Sequence, residues 1–462
     1  MFRKVKKVHF VGIGGIGMSG IAELLLNLGF YVSGSDINHS VNVEKLISLG
    51  ADIHMGHSAV NLTDADVLVY SSAVHLDNPE IIAAHQKNIP VIRRAEMLGE
   101  LISVKETSIG VGGTHGKTTT SSMIGTILTE GNLDPTLVVG GLVKTIDSNS
   151  KLGSGEIIVV EADEYDRSFL ALRPTISVLT NIELEHTDCY KDIDDLQQAF
   201  LQFANSSPFY GAVIVCIDSP ALQEIVPDIK RPIIGYGFSD QADISANNIC
   251  FNESQTVYTL CSNGHDNGTI TLNVPGEHNV SNSLAAIAVG KEMGLKIGHI
   301  VQGLKAYTGV RRRFEIKGIS NNIMVVDDYA HHPTEVKATL NAAKQGWDRR
   351  IVSVFQPHLY TRTRDFYEDF ALAFQQSDIL IVTDVYPARE KPIKGISGAM
   401  VSNAARQSGH KHVFYVQNLD DLNSHLDKIV LPGDMVITIG AGTIWRYSEK
   451  YFAHLKNLEA AA

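Results

Sequence analysis

Residues 107–120 read Thr107-Ser108-Ile109-Gly110-Val111-Gly112-Gly113-Thr114-His115-Gly116-Lys117-Thr118-Thr119-Thr120. A strand-like run at 108–111 enters a glycine-rich turn that opens into a helix. Glycines at such a turn let backbone N–H groups converge on an anion, and the helix adds the positive end of its dipole. Lys117 can then reach the outer phosphates of a nucleotide, and the Thr118 hydroxyl can ligate the magnesium ion that accompanies ATP. The spacing departs from G-x-x-x-x-G-K-[ST], because Val111 holds the place of the first glycine, with Gly110, Gly112 and Gly113 around it. A purely structural turn is the other reading. The lysine and the three threonines Thr118, Thr119 and Thr120, set where phosphate chemistry needs them, argue against it.

Upstream, residues 8–11 form a strand-like run that leads into Gly12-Ile13-Gly14-Gly15-Ile16-Gly17 and a helical pattern through Ile21, Leu24, Leu25 and Leu28. A second strand at 31–34 ends in Ser35-Asp36, and a third at 67–70 ends in Ser71-Ser72-Ala73. Strands that alternate with helical stretches indicate a parallel sheet. The pattern loosens near 101–106 and restarts at 108, which places a boundary close to Val104. It restarts again after Arg311-Arg312-Arg313, with strands at 323–326, 351–355, 379–383 and 435–439. The expectation is an α/β chain of three domains in series. Residues 1–104 would be Rossmann-like, 105–310 a P-loop-type ATPase domain with a mostly parallel sheet, and 311–462 again Rossmann-like.

The 462 residues agree with about 150 residues per domain. Lys and Arg number 39 against 51 Asp and Glu, a formal charge of -12, which disfavours nucleic acid as a general partner. No apolar run reaches the ~18 residues of a membrane span, so no membrane insertion is expected. Arg3-Lys4 and Lys6-Lys7 precede an apolar stretch, but five glycines and Glu23 interrupt it, unlike a signal peptide. Four cysteines without a C-x-x-C pair fit a reducing, cytoplasmic setting.

The apolar run at 157–160 reads as a buried central strand that delivers Glu161-Ala162-Asp163-Glu164 to its carboxyl end, the edge where ligands bind in open α/β sheets. Glu161 could hold magnesium opposite the phosphate loop, or the acids could form a solvated turn. The strand at 176–180 runs into Asn181-Ile182-Glu183-Leu184-Glu185-His186-Thr187-Asp188, where His186 could ligate a second metal ion. Pro275-Gly276-Glu277-His278-Asn279 and Asn282 precede a small-residue helix. Their amides could pair with adenine, and capping by Asn279 or Ser281 is the alternative. Arg311, Arg312 and Arg313 could stabilise a transferring phosphoryl group or form a surface charge run. Asp327-Asp328-Tyr329-Ala330-His331-His332-Pro333 and Gln356-Pro357-His358-Leu359-Tyr360-Thr361-Arg362 follow consecutive strands and would sit side by side as a substrate pocket.

These segments, in this order and spacing, resemble the Mur ligase family of bacterial cell-wall synthesis, essentially end to end. The specific parts are Gly12-Ile13-Gly14-Gly15-Ile16-Gly17-Met18-Ser19, Gly113-Thr114-His115-Gly116-Lys117-Thr118, Glu161-Ala162-Asp163-Glu164, His278-Asn279, Arg312-Arg313-Phe314-Glu315 and 327–333. The resemblance is nearest to the member that attaches L-alanine. It implies that ATP phosphorylates the lactyl carboxylate of UDP-N-acetylmuramate and that the amine of L-alanine attacks the acyl phosphate. ATP and Mg2+, with Mn2+ able to substitute, are the implied cofactors, and a monomer or weak homodimer the implied state.

By motif, the resemblance implies that Gly113, Thr114, His115, Gly116, Lys117, Thr118 and Thr119 hold the phosphates, Thr118 and Glu161 the first magnesium, and His186 the second. Asn279 would hold adenine, and Arg313 with Asp328 would belong to the closed ATP site. Tyr329, His331, His358 and Arg362 would face the amino acid and intermediate, and Gly14, Gly15, Gly17, Asp36, Ser72 and Ala73 would line the UDP pocket. The catalytic set would be Lys117, Glu161, His186, His331 and Arg313. Two departures stand out. Glu185 precedes His186 where many relatives have aspartate, and Leu359 follows His358 where some have arginine.

Three rivals remain. Gly12-x-Gly14-Gly15-x-Gly17 followed by Asp36 also fits an NAD-dependent oxidoreductase. A non-catalytic ATP-binding regulator would not need Lys117, Thr118, Glu161 and His186. A sister ligase that attaches a peptide shares the fold, and the Gly14-Gly15-x-Gly17-Met18-Ser19 form favours the single-amino-acid enzyme.

Overall fold

The computed structural model describes residues 4–71, 73–185, 189–388 and 390–461. Parallel strands buried on both faces need apolar residues at every position, and those runs build three sheets. The first contains β1 (Lys7–Val11), β2 (Tyr31–Asp36), β3 (Asp52–Met55), β4 (Val67–Tyr70) and β5 (Val91–Arg93) in the order β3-β2-β1-β4-β5. All its pairs are parallel, and the order is that of a Rossmann half. The order reverses beside β1, so its glycine turn lies where such sheets take ligands.

The second sheet contains β6 (Thr107–Gly112), β7 (Thr136–Val143), β8 (Ser148–Lys151), β9 (Ile157–Ala162), β10 (Ile176–Leu179), β11 (Ala212–Cys216), β12 (Ile233–Gly237), β13 (Ile244–Asn252), β14 (Gln255–Ser262) and β15 (His265–Leu272). Its order is β15-β14-β13-β12-β11-β10-β6-β9-β7-β8. β6 is central, parallel to β9 on one side and β10 on the other. The register sets Val111 opposite Glu161 and Gly112 opposite Leu179, which brings the phosphate loop, Glu161 and the turn at 180–185 to one edge.

The third sheet contains β16 (Glu315–Ser320), β17 (Ile323–Asp328), β18 (Ile351–Phe355), β19 (Ile379–Thr383), β20 (Val413–Val416) and β21 (Met435–Ile439) in the order β16-β17-β21-β18-β19-β20. Only β16 runs antiparallel. One apolar cluster, with Phe355, Phe370, Phe374 and Trp347, covers one face, and another, with Val352, Ile381, Leu422 and Tyr451, covers the other.

By contacts the chain forms two compact units. One comprises Met1–Asn248, Tyr258–Ile270 and Ser281–Thr308, and the other Ile249–Val257, Thr271–Val280 and Gly309–Ala462. Within the first unit a polar clasp joins the first sheet's layer to the second. Glu23, on the helix Ile16–Asn27, accepts from Lys45, Ser148 and Ser150, and Asn149 Nδ2 donates to Ile16 O at 2.6 Å. In the first sheet a buried His9 Nε2 meets Glu80 Oε2 at 2.7 Å, and Ser35, Ser58 and Asn61 also donate to Glu80. Burial would raise the Glu80 pKa, but bonds from His9, Ser35 and Asn61 outweigh it and hold the carboxyl below its ordinary value. Among the described residues, no helix is long and apolar enough to cross a membrane.

Candidate active site

The phosphate loop takes a backbone path that only glycine supports at two points. Gly113 has φ +142° and a Cβ there would lie 1.9 Å from Thr180 Oγ1, while Gly116, the N-cap of the helix Lys117–Glu130, has φ +82°. The loop is pinned to the exit of β10. Thr114 N donates to Asn181 O at 3.0 Å, His115 N to Asn181 Oδ1 at 2.8 Å, and Glu183 N to Thr114 Oγ1 at 2.9 Å. Asn181 and Glu183 thereby join the site as supports of the loop. Their only sequence signal was their position at a strand end.

Lys117 folds back over its own turn. Its Nζ donates to Gly113 O at 2.5 Å, Thr114 O at 3.0 Å and Glu164 Oε2 at 2.7 Å. Burial opposes the charge on Lys117, but Glu164, Asp163 and Glu161 outweigh it and raise its pKa above the ordinary value. Glu164 is itself 2% exposed, and burial raises its carboxyl pKa against the pull of Lys117. The sequence singles out Glu161, the first acid out of the strand, and does not mark Glu164.

Thr118 Oγ1 lies 2.9 Å from both carboxylate oxygens of Glu161, and Gly140 N donates to Glu161 Oε2 at 2.6 Å. A hydroxyl beside a carboxylate is a hard oxygen set of the kind Mg2+ takes, so these residues fit that ion. His186 lies outside the described residues. Thr119 is buried in the first turn of the helix. Asn282 packs on the loop: its Oδ1 accepts from Thr120 Oγ1 at 3.2 Å and leaves no room for a side chain at Gly116.

At the first glycine turn, Asp36 Oδ2 accepts from Gly14 N at 2.8 Å and Oδ1 from Asn38 N at 2.9 Å. One oxygen thus ties down the glycine turn and the other the segment that follows β2. A Cβ on Gly17 would lie 2.5 Å from Arg94 Nη1, whereas one on Gly15 would make only ordinary contact, its nearest neighbour 3.6 Å away. Ala73 is exposed and its N–H donates to Ser71 Oγ at 3.4 Å. Ser72 lies outside the described residues.

In the second unit, the turn after β17 is built on Asp327 and Asp328. Asp328 accepts from Phe314 N at 2.7 Å and Ala330 N at 2.8 Å, and burial raises its pKa to about 6 despite Arg313 and those two N–H groups. Asp327 accepts from Arg312 Nε at 3.1 Å and Thr438 at 2.8 Å, and Arg312 also donates to Gly440 O at 2.6 Å. Arg312 is therefore a buttress of the fold, neither a surface charge nor a free cation. Arg313 lies over the Tyr329 ring at 5.1 Å and 3.5 Å from Glu335. Asn279 lies inside the helix Glu277–Glu292, so neither it nor Ser281 is the N-cap. Its Nδ2 donates to Pro275 O at 2.7 Å.

The turns after β17 and β18 do not follow adjacent strands, because β21 runs between them. They still meet, with His331 and His358 rings 6.0 Å apart, across the turn Gly440-Ala441-Gly442. A Cβ on Gly442 would lie 2.4 Å from Gln356 Oε1 and 2.7 Å from Tyr386, so the close approach requires glycine. Tyr329 packs edge-on against His331 at 5.2 Å, and His331 Nδ1 lies 3.1 Å from Glu335 Oε2. Arg362 donates to His358 Nδ1 at 3.2 Å, and the His358 ring stacks on Tyr386 at 5.8 Å. Tyr386 went unread in the sequence, since only the fold brings it to this turn.

Three family models match along the chain: "Mur ligase family, catalytic domain" over residues 7–106, "Mur ligase middle domain" over 111–290, and "Mur ligase, glutamate ligase domain" over 312–442. The chain belongs to the Mur ligase family. Among Mur ligases, it is 51% identical to the UDP-N-acetylmuramate--L-alanine ligase of Syntrophus aciditrophicus, covering 99% of this chain and 95% of that protein. It is also 51% identical to the protein of the same name from Geotalea uraniireducens, covering 99% of both. The crystal structure of the Thermotoga maritima UDP-N-acetylmuramate-alanine ligase superposes with a TM-score of 0.83 at 29% identity, covering 98% of this chain and 99% of the other. A murein peptide ligase from Psychrobacter arcticus reaches 0.72 at 26% identity, with the same coverage. The expected three-domain α/β Mur ligase architecture therefore holds.

Proposed function

We propose that the chain joins L-alanine to the lactyl carboxylate of UDP-N-acetylmuramate at the cost of ATP, giving UDP-N-acetylmuramoyl-L-alanine, ADP and phosphate. The observation that carries this reading is the convergence of Lys117, Thr118 and Glu161 at one sheet edge in a chain half identical, end to end, to ligases named for that reaction. The murein peptide ligase is the more distant structure, which favours a single amino acid over a peptide.

In this reading residues 1–104 bind the UDP part, 105–310 bind ATP and 311–462 bind the amino acid. A carboxylate oxygen attacks the γ-phosphorus as its bond to ADP breaks. The alanine nitrogen then attacks the acyl carbon, the carbon–oxygen bond to phosphate breaks, and the nitrogen gives up its extra protons. Lys117 turns its N–H groups from Gly113, Thr114 and Glu164 to the incoming phosphates, which compensates the negative charge that moves during transfer. Gly113 to Thr119 cradle the phosphates, Asn279 holds adenine, and Arg313 with Asp328 completes the ATP site.

Thr118 and Glu161 would hold Mg2+, for which Mn2+ could substitute, and His186 a second ion; a bound divalent cation neutralises phosphate charge. Tyr329, His331, His358 and Arg362 face the amino acid, with Arg362 the cation for its carboxylate. Gly14, Gly15, Gly17, Asp36 and Ala73 line the UDP pocket, where Asp36 orients the turn through Gly14 N. The setting is the cytoplasm. Phosphate release should require UDP-N-acetylmuramate and L-alanine together. Turnover with D-glutamate, or with a tripeptide in place of alanine, would sink the substrate assignment while leaving the ligase class intact.

A further inference from the structure

The helix Tyr360–Ala373 carries Arg362 in its first turn, yet its own N-cap cannot serve it. Leu359 stands there with φ 69° and ψ 138°, and an aliphatic side chain accepts nothing from the N–H groups of a first turn. Glu390, thirty residues on, supplies the missing acceptor. Its Oε2 accepts from Tyr360 N at 2.5 Å and Thr361 N at 3.1 Å, and its Oε1 from the Thr361 hydroxyl. A carboxylate there also complements the helix dipole.

The same loop grips the turn a second time through Tyr386. Its N–H donates to Pro357 O at 2.8 Å, its carbonyl accepts from Leu359 N at 3.0 Å, and its ring stacks on His358 at an interplanar angle of 17°. His358 Nδ1 in turn accepts from Arg362, which places the imidazole proton on Nε2.

We infer that Glu390, with Tyr386, is a positioning residue that presets His358 and Arg362 for the amino-acid substrate. The inference rests on the reading that these two side chains face that substrate. Glu390 acts through Tyr360 and Thr361, the two residues that precede Arg362. Helix N-termini that orient a binding group must be held before the ligand arrives, or binding also has to order them.

The test is a steady-state comparison of full-length wild type, Glu390→Ala and Glu390→Gln, with KM measured separately for L-alanine, ATP and UDP-N-acetylmuramate. Glu390→Ala should raise the KM for L-alanine about tenfold, the size of a lost cap, while the other two KM values and kcat stay within about threefold. Glu390→Gln keeps an acceptor and should recover most of the loss. Amide exchange at Tyr360 and Thr361 should quicken about tenfold in Glu390→Ala, with the core strands unchanged. A uniform rise in all three KM values, or no change in KM and exchange, would overturn the inference. If the wild type uses another amine, the substrate assignment falls, and the positioning role is judged on that amine's KM and on the exchange rates.

Discussion

Lys117 and Arg362 both sit in the first turn of a helix that follows a buried parallel strand, but they are held by chain at very different distances. Lys117 bonds to carbonyls three and four residues back and, from farther along the chain, to Glu164. The Arg362 turn has a local partner in His358 and is also gripped by Tyr386 and Glu390. A cation held by its own turn can be read from a glycine pattern. The grip of another loop on the turn of Arg362 cannot, because nothing local marks the partner. The acids differ too. Glu164 pairs with a long, rotatable lysine side chain, whereas Asp328 is tied to two backbone N–H groups.

The largest effect that tests this contrast is at Lys117. Lys117→Ala should lower ATP-dependent phosphate release by about 10³-fold, read in a phosphate assay below the melting temperature of the variant, which should itself fall because buried Glu164 loses its partner. A merely structural lysine would lower melting but leave phosphate release by the folded variant within about threefold of wild type. Asp328→Ala should leave Phe314 N and Ala330 N without their acceptor and cost about 4 kcal/mol. Both tryptophans, Trp347 and Trp445, belong to the second unit, so the urea midpoint of their fluorescence reports this loss.

A pH series sharpens the same point. Burial raises the Asp328 pKa to about 6 from an ordinary 3.8, so the folded chain keeps a proton there that the unfolded chain has lost. The contribution of this group is fully present below about pH 4 and is lost as pH rises through 6, by about 3 kcal/mol in all. The difference in stability between wild type and Asp328→Asn should follow that course, and a flat difference would refute it. The smallest effect is at Leu359. Its φ of 69° strains a side-chain-bearing residue, so Leu359→Gly should raise the unfolding free energy from the same fluorescence transition by about 0.5 kcal/mol after the entropy of glycine is subtracted.

The strands at the site were legible because buried parallel strands are apolar along their whole length, as at 157–160 and 351–355. Less could be read where burial alternates. Gln255–Ser262 alternates buried with half-exposed positions and buries the polar Thr256 and Ser262, and His265–Leu272 is polar and mostly exposed over its first five residues, so no apolar run announces them. Asn282 carried an amide signal but no hint that it would pack on Gly116, 166 positions earlier in the chain. The turns after β17 and β18 meet as expected, but not through adjacent strands. Sequence order says nothing of β21 entering between them from more than eighty residues downstream.

Sequence alone determined the α/β class, the glycine turns, and the acids and histidines that gather at strand ends, because these follow from local periodicity and from residue chemistry at fixed spacing. The tertiary structure alone decided that Glu164 pairs with Lys117, that Arg312 is locked to Asp327, and that Glu390 caps the helix of Arg362. Each is a buried or half-buried polar contact between distant segments. Its energy depends on which groups the packing removes from water together, and no short stretch of chain encodes that.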